Sequence, residues 1–166
     1  MSDNLPEDEL ARRQAAIPRL EKLFKFAQPH HVRHGEIAAQ GVVSASHWLE
    51  IIHSGRIEYL RNLGLLSLEG MGAPVQAVVR TAAVEYLAPA RFDDSLLVRV
   101  RASYLGYRSC RFEYLVDNVD TGLRHVLGAT LMVCVELKTF KGIPWPQVWR
   151  DRIGEFEGAE LQTGQK

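Results

Sequence analysis

One long amphipathic segment, followed by a change of hydrophobic period, most constrains how this chain folds. Over residues 44–63 apolar side chains recur at intervals of three and four, which is typical of a helix with one buried face. Ser44 or Ser46 is suited to cap its first turn, and Gly64 is suited to end it. From residue 75 to residue 137 the period is two, which predicts strands. The order favours an α+β domain in which an antiparallel sheet wraps one long helix.

Four alternating segments follow the helix, at 75–87, 96–104, 110–116 and 123–137, and turn residues separate them. We expect them to form an antiparallel meander after one earlier strand. Shorter helices are predicted over about 10–25 and 146–156 from apolar residues at helical spacing; in the second these are Val148, Trp149, Ile153 and Phe156.

Two features refine the expected packing of the helix and the sheet. Gly55 lies inside the helix at a cost of about 1 kcal/mol relative to alanine, so a neighbouring strand is expected to pass close to it. Cys110 and Cys134 lie in two alternating segments and are expected to be small buried side chains of neighbouring strands. The expected polar face of the helix carries the following residues: His47, Glu50, His53, Arg56, Glu58 and Arg61.

Composition excludes several classes of partner. The 166 residues include 20 Lys and Arg against 20 Asp and Glu, and 46% are hydrophobic. A balanced charge argues against nucleic-acid binding, and no apolar segment reaches the ~20 residues that a membrane-spanning helix needs. The acidic start of the chain lacks the pattern of a secretory signal, so we expect a cytoplasmic protein. The expected organisation is an N-terminal extension with a short helix (1–28), one domain (29–156) and a flexible tail (157–166).

Three segments carry a family resemblance. The first is Gly41-Val42-Val43 with the helix through residues 56–65, the second is 84–94, which contains Pro89-Ala90-Arg91, and the third comprises 106–109, 112–114 and 133–135. In this order they resemble hotdog-fold acyl-CoA thioesterases of the 4-hydroxybenzoyl-CoA thioesterase and Tol-Pal-associated thioesterase type. The resemblance covers about residues 29–153.

This resemblance implies a hotdog fold and hydrolysis of an acyl-CoA thioester to a free acid and coenzyme A. It implies that backbone N–H groups near Ser44 and Ala45, at the start of the helix, polarise the thioester carbonyl. The family's catalytic Asp lies three residues before the glycine in an Asp-x-Asp-x-x-Gly pattern, and that position is Ala38 here. No cofactor or metal is implied, and a homodimer or homotetramer is expected, with the site shared between subunits.

Three residues are candidates to replace the missing carboxylate. Glu50 lies on the polar face of the helix, where a related branch of the family carries its acid. Glu36 occupies the first acidic position of the loop pattern, and His47 lies in the first helical turn, where an imidazole can activate water. Each of them is also explained as an ordinary solvated side chain.

Candidate substrate contacts fall into two groups. Gly41, Val42 and Ser44 lie around the start of the helix, although Ser44 also fits a simple capping role. Coenzyme A phosphates require cations, for which the resemblance and the loop positions indicate Arg108 with Ser109, and Lys138 with Lys141.

Other charged residues have simpler explanations. Arg91 is expected to pair with Asp93 or Asp94, and a basic sheet edge is expected from Arg99, Arg101, Arg108 and Arg111. His30, His31 and His34 with Glu36 suggest a metal site only superficially, because strand alternation separates the histidines.

Two other functions remain open. A protein of this fold that binds acyl-CoA or an acyl-carrier protein without hydrolysing it is consistent with Ala38. A hotdog dehydratase or hydratase requires a paired histidine and carboxylate, for which His47 and Glu50 are candidates.

Overall fold

The computed structural model describes residues 20–66 and 75–164. Two helices, α1 (Ala45–Asn62) and α2 (Gln147–Glu157), accompany one sheet. Its strands are β1 (Phe26–His31), β2 (Val75–Tyr86), β3 (Ser95–Leu105), β4 (Ser109–Asn118), β5 (Arg124–Glu136) and β6 (Gln162–Thr163). The α+β prediction of one long helix against an antiparallel sheet is confirmed.

The strand order is β1-β3-β4-β5-β2, with antiparallel neighbours throughout, and β6 pairs with β3 in parallel. The expected meander is wrong in one respect, because β2 pairs with β5 and not with the strand that follows it. The loop after β2 carries the chain to the other side of the sheet. Along this path the Leu87 N–H donates to the His125 carbonyl of β5, and the Ala90 carbonyl accepts the Val43 N–H.

The helix α1 packs against β1 and β3. An ideal Cβ on Gly55 would lie 2.7 Å from Cγ1 of Val98, so the predicted close approach of a strand is confirmed. Ser44 caps the helix by accepting the His47 N–H, and Gly64 follows it at φ +65°. Arg56 was assigned to the polar face, and this is wrong: its side chain is buried between α1 and the sheet.

The outer face of the sheet is not a basic edge, contrary to expectation. Arg99 pairs with Asp117 across β3 and β4, and Arg101 donates to Glu113 at 3.0 Å. Arg111 lies 3.5 Å from the same carboxylate of Glu113. These cations are neutralised within the sheet because cross-strand neighbours of opposite charge lie on one face.

The described fold extends beyond both ends of the expected 29–156 domain. Strand β1 begins at Phe26, and β6 lies within the expected tail. Glu157, at the end of α2, is buried. Its Oε1 accepts the Tyr59 hydroxyl at 2.6 Å and the Ala102 N–H at 2.8 Å, which anchors α2 to the core.

The remaining predictions for the helices have mixed outcomes. In α2, Trp149, Ile153 and Phe156 pack on the core as expected, whereas Val148 is half-exposed. Most of the helix predicted for 10–25 lies outside the described residues, in which Leu20 and Glu21 are helical.

Cys110 and Cys134 are buried, with free thiols, on the neighbouring strands β4 and β5. None of the described helices is long and apolar enough to cross a membrane.

Candidate active site

A loop and the end of a strand hold the N-terminus of α1. The Ser44 N–H donates to the Glu36 carbonyl at 3.2 Å, which places the loop that follows β1 beside the helix start. On the other side, the Tyr86 hydroxyl at the end of β2 donates to the Ala45 carbonyl at 3.4 Å. The first N–H groups of a helix have no acceptor within the helix and carry the positive end of its dipole. The exposed start of α1 at Ala45 is therefore suited to bind a carbonyl oxygen or an anion.

The loop of the family's acidic motif forms a tight turn. The Ala38 N–H donates to the Val42 carbonyl at 2.8 Å, and the Gly41 N–H donates back to Ala38 at 2.9 Å. Gly41 has φ +78°, a conformation that favours glycine over any residue with a side chain. Gly41 and Val42 thus shape the approach to the helix, while Ala38 presents only a methyl group where the family motif has its acid.

Glu36 contacts the helix cap through its backbone carbonyl, and its carboxylate is held by two other groups. Its Oε2 accepts the Arg33 N–H at 2.9 Å and lies 3.1 Å from Nε2 of His30 on β1. Burial acts to raise the pKa of Glu36, but the hydrogen bonds from Arg33 and His30 outweigh it and lower the pKa overall. Glu36 is therefore ionised near neutral pH.

Hydroxyl and imidazole groups cluster in the first turn of α1. Nδ1 of His47 lies 2.7 Å from Oγ of Ser44, which also lies 2.9 Å from Oγ of Ser46. When Ser44 donates its proton to His47 and accepts from Ser46, every bond in this cluster is satisfied. The structure thus brings together two residues that were proposed separately, Ser44 and His47.

Glu50 is exposed on α1, one turn beyond His47. Within residues 20–66 and 75–164 its carboxylate forms no hydrogen bond or ion pair, so no bond joins it to His47. A rise of 1.5 Å per residue puts its backbone about 7.5 Å along the helix from Ala45.

A shallow groove of about 440 Å³ contains two of the predicted coenzyme A contacts, Arg108 and Ser109. Arg80 and Phe140 line the same groove, and Phe140 is 70% exposed. Arg80 was missed because it lies where the β2 to β5 register shifts, between Val79 and Thr81, and a β-bulge is not visible in the hydrophobic pattern.

The remaining candidates are dispersed. Lys138 and Lys141 are exposed in the loop after β5, and neither lines the groove. Nε2 of His31 lies 2.8 Å from Asp93, whereas the ring of His34 meets Phe92 edge to face. No group of three metal-binding side chains occurs in the part of the chain that the structure describes.

The turn that contains Arg91 is closed through its backbone. Asp94 accepts the Arg91 N–H at 2.7 Å, so the expected pairing of these two residues involves the main chain and not the guanidinium.

A family model described as "Thioesterase-like superfamily" matches residues 32–153, which is most of the chain and includes the helix start and the groove. The chain belongs to the thioesterase-like superfamily. The family resemblance and the hotdog fold inferred from the sequence are both confirmed.

Two relatives of this thioesterase-like chain are named for the hydrolysis of acyl-CoA thioesters. An acyl-CoA thioester hydrolase, YbgC, of Escherichia coli is 31% identical over 111 residues, which are 67% of this chain and 82% of that protein. An acyl-CoA thioesterase, YbgC, of Haemophilus influenzae is 30% identical over 124 residues, or 74% and 89% of the two chains. The crystal structure of a 1,4-dihydroxy-2-naphthoyl-CoA thioesterase from Synechocystis superposes with a TM-score of 0.74 at 21% identity, covering 80% of this chain and 97% of that one, and supports the fold.

Proposed function

We propose that the protein is an acyl-CoA thioester hydrolase. Water adds to the thioester carbonyl, the carbon–sulfur bond breaks, and the products are a carboxylic acid and the free thiol of coenzyme A. Membership of the thioesterase-like superfamily and the activities named for the YbgC relatives support this reaction. The observation that carries it is the exposed start of the 18-residue helix α1, held between the loop at Glu36 and the end of β2 at Tyr86.

The helix start supplies electrostatic stabilisation without any side chain. Attack on the carbonyl turns its oxygen into an oxyanion, and the N–H groups at Ala45 and Ser46 donate to that oxygen in our proposal. Removing one such donor in other enzymes costs about 10²–10³ in kcat. This part of the mechanism is unaffected by the alanine at position 38.

We assign the role of the missing acid to Glu36. Its carboxylate is ionised, half-buried and fixed by His30, and its own carbonyl bonds to the helix cap. Its Oε1 has no partner within the described ranges and is the atom that takes a proton from water. Glu50 and His47 are the other two candidates, and the same experiment tests all three.

A second copy of the chain completes the site in this proposal. The start of α1 lies near Tyr86 and Val126, whereas the groove contains Val133, seven residues further along β5 and therefore roughly 23 Å away. Strand β2 is the last strand of the described sheet, and Val79 and Tyr86 are about half-exposed on it. Antiparallel pairing of two β2 edges around a twofold axis brings the partner's groove toward the helix start of this copy, so that its arginines meet the coenzyme A phosphates.

Release of free thiol decides the proposal. The wild type is assayed with acetyl-, hexanoyl-, palmitoyl- and benzoyl-CoA, alongside Glu36→Gln, Glu50→Gln and His47→Gln. We expect hydrolysis of at least one thioester, with kcat lowered about 10²-fold or more in Glu36→Gln, in line with loss of a general base. Full activity of Glu36→Gln refutes the assignment of that residue, and absence of thiol release from every thioester refutes the reaction.

Ala38 supports one alternative, an acyl-CoA or acyl-carrier-protein binding protein without hydrolytic activity. Tight binding of these thioesters, measured by calorimetry, together with no thiol release favours that alternative. The variant Ala38→Asp distinguishes the two further: it creates activity in a scaffold that lacks only the acid.

A further inference from the structure

Arg56 is buried between α1 and the sheet without a carboxylate. Its side chain is 2% exposed, and its Nη1 donates to the Tyr114 hydroxyl at 3.0 Å and to Thr130 at 3.4 Å. Its Nε–H is buried with no acceptor, and no ion pair to Arg56 forms among the described residues. A buried cation is costly unless it is paired, so this arrangement requires an explanation beyond packing.

The remaining contact of Arg56 fixes the chemistry of His53. Nη2 of Arg56 lies 2.6 Å from Nδ1 of His53, and a guanidinium can only donate. Nδ1 must therefore carry a lone pair, and the ring proton must reside on Nε2. Burial and the charge of Arg56 both lower the pKa of His53, which keeps the ring neutral. His53 is thus held as an Nε2–H donor.

This donor lies on the side of α1 that faces strands β5 and β2, since Arg56 joins it to Thr130. Cross-strand pairs place Thr130 next to Ala82 of β2, and Val126 next to Tyr86, on the face of the sheet that α1 covers. Both Ala82 and His53 are exposed, and so is much of Leu49, one turn before His53. Exposed apolar side chains therefore lie on both α1 and β2 on this side of the helix, where His53 supplies a polar group.

Distance along the helix sets the part of a substrate that reaches His53. Eight residues separate Ala45 from His53, which is about 12 Å at 1.5 Å per residue, and the side chain tilts back toward the helix start. A thioester carbonyl bound at the helix start therefore places a medium-length acyl chain along Leu49, with its distal end at the imidazole. Glu50, also on this face, disfavours an anionic end relative to a neutral one.

We propose that His53, positioned by Arg56, selects acyl groups that carry a neutral oxygen acceptor, such as a hydroxyl or keto group, at their distal end. The inference rests on the proposed hydrolase function and adds its acyl specificity. His53 binds the substrate oxygen through Nε2–H, and Arg56 is a positioning residue that never touches the substrate. An acyl group without a distal oxygen leaves this N–H to water.

A matched series of thioesters tests the contact. Hydrolysis of hexanoyl-, 6-hydroxyhexanoyl- and adipoyl-CoA is compared for the wild type, His53→Ala, His53→Gln and the control Ser54→Ala, an exposed neighbour on α1. We expect the kcat/KM ratio of 6-hydroxyhexanoyl- to hexanoyl-CoA to fall about three- to tenfold in His53→Ala, as loss of one hydrogen bond requires. His53→Gln, whose amide reaches the position of Nε2, restores part of the ratio, and Ser54→Ala leaves it unchanged. An unchanged ratio in His53→Ala overturns the proposal, and so does a preference for adipoyl-CoA that survives in that variant.

A second measurement requires no variant with altered folding. Long-range proton–nitrogen spectra of the wild type report the tautomer of His53, with His53→Gln assigning the signal among the six histidines. We expect the Nε2–H tautomer near neutral pH, and an Nδ1–H tautomer or an imidazolium overturns the positioning role of Arg56. If no thioester is hydrolysed, the hydrolase proposal fails but this one is still decided. The His53 signal must then shift on addition of 6-hydroxyhexanoyl-CoA but not of hexanoyl-CoA. Equal shifts with both thioesters, or no shift with either, refute the proposed role of His53.

Discussion

The contact between Gly55 and strand β3 leads to a quantitative prediction for Gly55→Ala. The added methyl group lies 2.7 Å from Cγ1 of Val98 and 3.2 Å from Cγ2 of Val100, both on core side chains that are at most 1% exposed. Alanine stabilises a helix interior by about 1 kcal/mol relative to glycine, whereas overpacking of a core costs about 1–3 kcal/mol. Because both valines are fixed in the centre of a strand, we expect a net loss of about 1 kcal/mol.

Gly154→Ala is the matched control, because Gly154 lies inside α2 and an added Cβ meets no atom within 4 Å. That variant isolates helix propensity and is expected to gain up to about 1 kcal/mol. The two variants therefore differ by about 2 kcal/mol, or roughly 4–8 °C in Tm for a domain of this size. Thermal and urea unfolding measure both quantities. Equal or greater stability of Gly55→Ala refutes the inference that β3 leaves no room for a side chain at this position.

Three further predictions concern the pH dependence of stability at two carboxylates and the assembly of two copies. Burial raises the pKa of Glu157 above 4.5, so its ionisation opposes folding, and the free energy of unfolding falls as pH rises through the raised pKa. The variant Glu157→Gln removes this fall, which is detected by thermal unfolding as a function of pH. Glu36 has a lowered pKa, so its contribution to stability is present above pH 4.5 and is lost as pH falls through the folded-state pKa. The variant Glu36→Gln does not show this loss, whereas Glu50→Gln retains it. Val79→Lys places a charge on the exposed face of β2. We expect it to shift the protein toward monomers, measured by light scattering, and to lower thiol release, measured by the activity assay. The control Val148→Lys on α2 is expected to change neither. Dimers of unchanged affinity in Val79→Lys contradict the role of β2.

Local patterns in the sequence predict most of the elements but not their arrangement. The period of α1 and the alternation of the strands are local properties, so the helix cap at Ser44 and the strand bounds near Tyr86 and Ser95 follow from neighbouring residues. The pairing of β2 with β5 depends on a long connection that no local period encodes.

Likewise, local sequence predicts where the candidate site lies but not which side chains meet there. Its position at the helix start follows from the motif around Gly41, but the bond between Glu36 and His30 joins a loop to a strand. Arg56 was misassigned because charged side chains are almost never fully buried unless they are paired. Its partners Tyr114 and Thr130 are distant in sequence, and only the folded chain brings them together.

The two margins of the sheet differ, and the difference limits how the protein can polymerise. Strand β1 has six residues and includes Pro29, which has no N–H to donate, while β2 extends for twelve residues. In the described chain, only the β2 margin offers a long row of unused backbone groups. If two copies join there by a twofold axis, each consumes the other's row, and the contact closes upon itself. A third copy then finds no matching margin, so larger assemblies must form through sheet faces, and ribbon-like growth through backbone bonds stops at two.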